Sequence, residues 1–311
     1  MSDAKLHKAP VLKSVSVVMA TYNGAAFLEE QIESILSQTL LPGEIIICDD
    51  HSSDATKIII EKYKNNSLIK PHFNEKQLGV VDNFKKGVSL AMPGHYIALC
   101  DQDDIWLPDK LEKSVEALLQ IDDEQHPAMV YSDPIVIDKE KKIINTSFQN
   151  ILGCDRYRHC FETLLFGNFI VGCTILFNAP MRKVFNDIPK SKAYLHDSWI
   201  ALAAFSFGKA IQLPKPYIHY RHHGLNVTFT TSKKPNRIAK LYFQFKSLLY
   251  KTDFIENQLA LAKAFNHHYR EKFSAEQKNI ISKFLLLENT KYFKRKIAFE
   301  KAFKGKWIKR F

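Results

Sequence analysis

The sequence predicts an α/β chain: a mostly parallel central sheet with helices on both faces, followed by a basic helical region. Three observations carry that expectation. Over residues 15–121, short apolar runs alternate four times with segments of helical periodicity, the pattern of successive β–α units. Two of those runs end abruptly in carboxylates, Asp49-Asp50 and Asp101-Gln102-Asp103-Asp104, and the carboxyl ends of parallel strands are where open α/β sheets bind ligands. Charge is also divided along the chain. The 79 residues from Lys233 carry 20 Lys and Arg against 6 Asp and Glu, whereas residues 1–232 carry 24 against 27. A nearly neutral body therefore bears a strongly basic tail, and the expected organisation is an N-terminal tail (1–14), a body (15–232, divided near 125) and a basic amphipathic region (233–311).

The elements follow in order. Val15–Met19 reads as a strand, Ala20-Thr21-Tyr22-Asn23-Gly24 as the turn after it, and Phe27, Ile32, Ile35 and Leu36 as the apolar stripe of a helix. After Leu41-Pro42-Gly43 comes a strand, Glu44–Cys48, then Asp49-Asp50-His51-Ser52-Ser53-Asp54, with Asp54 placed to cap a helix over 55–64. A third strand near 68–73 precedes Gly79-Val80-Val81-Asp82-Asn83 and a helix to Leu90. Tyr96–Cys100 is the central strand, and Pro108 opens an amphipathic helix to Ile121. No GxGxxG is present, so a dinucleotide held by a glycine loop fits poorly. Three carboxylates within four residues repel one another unless a cation lies among them, and a divalent ion carrying phosphate oxygens is the natural guest. The plainer alternative is a solvated acidic turn, with Asp104 or Asp109 capping the next helix.

Val17-Val18-Met19-Ala20-Thr21-Tyr22-Asn23-Gly24, Asp49-Asp50-His51-Ser52-Ser53-Asp54 and Asp101-Gln102-Asp103-Asp104-Ile105-Trp106, in this order and spacing, resemble the family-2 glycosyltransferases of the GT-A fold. The last motif most resembles the rhamnosyltransferase-like branch. The resemblance spans residues 15 to about 228, and departs at Ala20, where many relatives have Pro. It implies metal-dependent, inverting transfer of a sugar from a nucleotide diphosphate donor, a dTDP- or UDP-sugar such as dTDP-rhamnose, to an acceptor hydroxyl in cell-surface polysaccharide synthesis. The implied donor-binding residues are Ala20, Thr21, Tyr22, Asn23, Asp49, Asp50, Asn83, Asp101 and Gln102, with Tyr22 and Asp50 at the base and Asp101 at the ribose or metal-bound phosphates. Asp103 is the implied principal ligand of Mn²⁺ or Mg²⁺, with Asp101 and His223 beside it.

The second half is expected to build the acceptor side: a strand at 129–133, a hairpin over 135–144, a helix at 158–166 and a loop at 167–174 entering another strand. His196-Asp197-Ser198-Trp199 opens an apolar helix. Asp197 there reads either as an N-cap or, following the resemblance, as the general base that inverting transfer requires. His196 is a lesser candidate for steering the diphosphate or acceptor. Tyr217–Asn226 alternates toward a positively charged loop where Arg221 and His223 suit a metal-bound diphosphate; His222-His223 lacks the further ligands of a zinc site.

The basic region repeats apolar residues at helical spacing among lysines, which suits an anionic membrane surface and a lipid-linked saccharide acceptor. Helices packing on the body are the alternative. Nucleic acid is not expected, because no reading motif accompanies the charge. The five cysteines lack CxxC spacing, and Met1–Lys13 has no apolar core, so a reducing cytoplasm, at the inner face of the cell membrane, is the expected location. Two other functions compete: a nucleotidyltransferase, which usually carries a glycine-rich basic first loop, and a non-catalytic glycan-assembly scaffold.

Overall fold

The structure, a computed structural model, describes residues 13–154, 158–191, 193–223 and 253–290, with residues 295, 297, 298 and 301. The first part of the chain runs β1 (Val15–Thr21), α1 (Leu28–Leu36), β2 (Glu44–Asp49), α2 (Thr56–Lys62), β3 (Ile69–Phe73), α3 (Val80–Leu90), β4 (Tyr96–Asp101), β5 (Ile105–Trp106) and α4 (Lys110–Leu119). Then come β6 (Ala128–Tyr131), β7 (Ile135–Ile137), β8 (Ile143–Asn145), α5 (Phe148–Leu152), α6 (Phe161–Phe166), β9 (Leu176–Phe177) and α7 (Ala179–Asn186). The described chain ends with α8 (His196–Phe207), β10 (Lys209–Gln212), β11 (Ile218–Arg221), α9 (Asp253–Tyr269) and α10 (Ala275–Leu285).

Seven strands form the main sheet in the order β10-β6-β9-β4-β1-β2-β3, all parallel except β9, which runs antiparallel to β4 and β6. Both faces are covered, which is why the strands are almost continuously apolar. Along β1 and β2, Val18, Ile46 and Cys48 face one core with α3, α7 and α8, while Val17, Met19, Ile45 and Ile47 face the other with α1 and α4. A smaller sheet, β5-β11-β7-β8, flanks the cleft. Apart from β5, the elements from β1 to α4 lie where the periodicity put them. Asp54 differs slightly from its expected role: Ala55 holds the N-cap position, and Asp54 accepts from the Thr56 N–H and hydroxyl and from the Ala25 N–H.

α9 and α10 turn their apolar faces inward. Leu261, Phe265, Ile281 and Phe284 are fully buried, with Phe265 edge-on to Trp199 of α8 and Phe284 edge-on to Phe166 of α6. In the described part of the basic region, the stripe expected to meet a membrane is therefore largely spent on packing against the body. Leu286 and Ile297 stay exposed. The apolar residues at 241–250 and at 293, 299 and 303 lie outside the described residues. Among the described residues no helix is long and apolar enough to cross a membrane.

Candidate active site

Parallel pairing brings the carboxyl ends of β1, β2 and β4 together: Ala20 lies beside Asp101 and Cys48, and Thr21 beside Asp49. The loops leaving these ends, with the start of α8 and the residues after β11, enclose a cleft of about 500 Å³, within the range of small-molecule sites. Ala20, Thr21, Tyr22, Asn23, Asp50, Asn83, Asp101, Gln102, Asp103, Asp197 and His223 all line it.

Asp49 does not. Buried at the end of β2, it accepts from the Thr21 hydroxyl at 2.9 Å and from the Ser52 N–H at 3.0 Å and hydroxyl at 2.5 Å. Successive side chains of a strand point to opposite faces, so only one of the two adjacent aspartates can reach the cleft. Asp49 ties the first two loops together and does not line the cleft. Asp50 faces the other way and accepts from Asn74 Nδ2 (2.9 Å) and from the N–H groups of Leu78 (2.7 Å) and Gly79 (2.8 Å). A carboxylate has about four acceptor positions, so roughly one remains for a ligand. Asn83, expected to touch the donor, is largely committed to the protein: Nδ2 donates to the Cys48 carbonyl and Oδ1 accepts from Asn74. The sequence reading missed this 74–79 loop as a wall of the cleft, although Gly79, held at φ 89°, was a legible sign of a sharp turn.

Gln102 clamps the first loop, its Oε1 accepting from the Tyr22 N–H at 2.8 Å and its Nε2 donating to the Tyr22 carbonyl at 3.0 Å. Tyr22 is 45% exposed at the cleft. The clamp needs the bare Gly24, where a Cβ would lie 2.0 Å from Gln102 Oε1. Asn23, at φ 48°, accepts from the Ser53 N–H, and its own N–H donates to the Ser52 hydroxyl.

Acid dominates the floor. Burial, then the Asp103 and Asp197 carboxylates, push the Asp101 carboxyl up to about 7. Asp104 is wholly buried and also raised, its Oδ1 accepting from the Arg221 N–H at 3.1 Å. Asp103 meets His223 Nε2 at 2.7 Å. Asp101, Asp104 and Cys173 bring one potential ligand atom each within 4.8 Å of one another, but a buried thiol pushed well above its usual range is a poor ligand for a hard cation. Asp101, Asp103 and His223 all line the cleft and carry the oxygen and imidazole donors that suit Mn²⁺, but among the described residues only Asp101, Asp104 and Cys173 gather three ligand atoms within 4.8 Å. Cys173 and Thr174 lie behind the cleft; Val171 and Gly172 line it.

Asp197 stands in the first turn of α8, whose N-cap position is Leu195, so it is not the cap. Its Oδ1 accepts from the Ser198 N–H at 2.6 Å, and burial pushes its carboxyl up to about 6. His196 is buried between Phe84 and Phe185, and burial pushes its imidazole down to about 3, so it is neutral. Arg221, expected at the diphosphate, instead turns its guanidinium inward.

The family model for glycosyl transferase family 2 matches residues 16–187, more than half the chain. The chain belongs to this family. An uncharacterized protein of Mycobacterium tuberculosis is 30% identical over 214 residues, covering 67% of this chain and 59% of that protein. The chain thus spans about three fifths of that relative's length. An Escherichia coli protein, UDP-Glc:alpha-D-GlcNAc-diphosphoundecaprenol beta-1,3-glucosyltransferase WfgD, is 35% identical over 106 residues, 34% of this chain and 41% of its own. Among solved structures, Staphylococcus aureus TarS in complex with UDP-GlcNAc shares the fold with a TM-score of 0.55 at 17% identity, over 95% of this chain and 88% of that one. The fold is GT-A, and family membership displaces the nucleotidyltransferase alternative.

Proposed function

We propose that this chain is a metal-dependent, inverting glycosyltransferase that moves a sugar from a nucleotide diphosphate to a hydroxyl of a glycan or lipid-linked saccharide in cell-surface polysaccharide synthesis. The observation that carries the reading is a carboxylate outside the metal-ligand set, Asp197, raised to about 6 and lining the same cleft as Asp101 and Asp103. Tyr22 and the remaining acceptor position of Asp50 take the base, and Asp101 and Asp103 with His223 would hold Mn²⁺ or Mg²⁺. Such an ion, when bound, neutralises the departing diphosphate. Asp197 accepts the acceptor hydroxyl's proton as that oxygen bonds to the anomeric carbon and the bond from that carbon to the diphosphate oxygen breaks. Because attack and departure are on opposite faces, configuration inverts.

The rhamnosyltransferase-like form of residues 101–106 favours dTDP-rhamnose as donor, while the names of the relatives carry UDP-sugars. The acceptor reading is supported by the diphosphoundecaprenol in the E. coli relative's name, and contact with an anionic inner leaflet by the basic residues from Lys233 onward. The purified protein is to be incubated with dTDP-rhamnose, UDP-glucose and UDP-GlcNAc, with Mn²⁺, Mg²⁺ or EDTA, while nucleotide diphosphate release is measured. Release from at least one donor that EDTA abolishes is expected. Release from none, or release indifferent to EDTA, refutes the reading. Cosedimentation with phosphatidylglycerol vesicles tests the membrane contact.

A further inference from the structure

Arg221 is 1% exposed, and a guanidinium buried that deeply must be matched bond by bond. Its Nη2 pairs with Glu30 of α1, its Nε donates to the Asp103 carbonyl at 2.8 Å, and its Nη1 donates to the Lys139 carbonyl at 3.2 Å. Its backbone N–H donates to Asp104 Oδ1 at 3.1 Å. The guanidinium carbon sits 4.7 Å from the centroid of the Phe27 ring, and that ring lies 5.1 Å from the His223 ring. One buried cation therefore joins the acid loop, α1, the turn between β7 and β8, and the strand that leads to His223. Arg221 is the last residue paired with β7, the His222 N–H donating to the Ile137 carbonyl at 2.7 Å. The Arg221 guanidinium and the His223 ring both pack against Phe27, so fixing one helps aim the other.

Resting on the metal-site reading above, we infer that Arg221 is the positioning residue that holds Asp103 and His223 in register for a divalent cation. It touches neither the cation nor the nucleotide. Glu30 supplies the counter-charge: burial works to raise its carboxyl, but Lys141 and Arg221 outweigh that and hold it below the usual carboxylate range. Lysine cannot replace the planar fork, because a single ammonium cannot reach three separated acceptors along fixed directions. Losing a group that orients metal ligands typically costs about 10- to 100-fold in metal affinity.

The test is Mn²⁺ binding in the presence of UDP or dTDP, followed by electron paramagnetic resonance, for the wild type, Arg221→Lys and Glu30→Gln, with thermal midpoints measured alongside. The expected result is Mn²⁺ binding at least about tenfold weaker in Arg221→Lys, with a smaller loss in Glu30→Gln. If Arg221→Lys does not fold, weaker Mn²⁺ binding by folded Glu30→Gln supports the inference, and unchanged binding overturns it. A folded Arg221→Lys with wild-type Mn²⁺ affinity overturns it outright, whatever its thermal midpoint, because a merely structural role lowers the midpoint and leaves the affinity alone. If the wild type binds no Mn²⁺ with either nucleotide, the metal-site reading itself fails and this inference goes with it.

Discussion

Replacing Asp197 by Asn keeps the size and hydrogen bonding of the side chain and removes its basicity. A positioned base is worth about 10²- to 10⁴-fold in turnover, so kcat should fall by that factor while nucleotide affinity holds. The pH profile is sharper evidence. The base works ionised, and burial puts its pKa at about 6, so wild-type kcat should fall about tenfold per pH unit below about 6. Asp101, raised to about 7 by burial and its acidic neighbours, does not confuse that limb once a cation is bound, because the cation draws the Asp101 proton off. The stability effect has the opposite sign from the activity effect. A carboxyl raised above its usual 3.8 stabilises the fold below that pH, and the contribution is lost as pH rises through about 6. Asp197→Asn should therefore raise the thermal midpoint at pH 7.5, relative to wild type, and the gain should vanish near pH 4. The assay is transfer at saturating donor and acceptor from pH 5 to 8, with thermal melts of both proteins. A variant that keeps more than about a tenth of wild-type turnover, or keeps the same acid limb, would show that another group takes the proton.

Asp103→Asn should weaken Mn²⁺-dependent UDP or dTDP binding in calorimetry while leaving the melt unchanged, since it removes one ligand charge from a cluster that otherwise repels a diphosphate. Gly24→Ala should break the Gln102 clamp on Tyr22, because its Cβ would lie 2.0 Å from Gln102 Oε1; nucleotide affinity should drop, and Gly24→Ala with Gln102→Ala should lose no more than Gln102→Ala alone. Lys110, buried with its ammonium 3.3 Å from the Trp106 ring centroid, is pushed down to about 7 by burial. That depressed value makes the native state more stable as pH rises from about 7, so Lys110→Met should raise the thermal midpoint more at pH 6 than at pH 9. Phe265→Ala should cost about 3–5 kcal/mol in denaturant unfolding, because the ring is wholly buried between α9 and α8; a loss under about 1 kcal/mol would contradict packing of the C-terminal helices on the body.

How legible all this was in the sequence depends on the reach of each signal. β1 to α4 were readable because local periodicity and the punctuation of Pro42, Gly43 and Pro93 act over a few residues. β5 has two residues, too short for any period, and was missed, as were α5, α7 and β10; β9, equally short, was expected only as the strand entered from the 167–174 loop. For the site, carboxylates at strand ends marked the right loops, but a doublet such as Asp49-Asp50 does not say which member faces the ligand. Register decides that, and register is set by the neighbouring strand. The basic amphipathic stripes of α9 and α10 were ambiguous for a related reason: an apolar face records that something covers it, not what. Here α6 and α8 do, through Phe166 and Trp199.

The largest unreadable term is the arrangement around Arg221, and it bears on how the cleft tolerates its own acidity. Asp101, Asp103, Asp104 and Asp197 converge on one region, and Asp101, Asp104 and Asp197 are pushed upward. Left alone, such a cluster would protonate or open. Two buried basic side chains stand behind it: Lys110, close enough to Asp104 for their charges to act on each other when it is protonated, and Arg221, bonded to the backbone of Asp103 and to Glu30, 191 positions earlier. Neither lines the cleft. They offset part of the negative charge from the protein side, while Asp101 and Asp103 keep facing the cleft. A carboxylate cluster fully neutralised from within would have no affinity left for a metal-bound diphosphate, and one with no support would not stay folded as a cluster. The depressed Lys110 and raised Asp101 place this cluster between those limits.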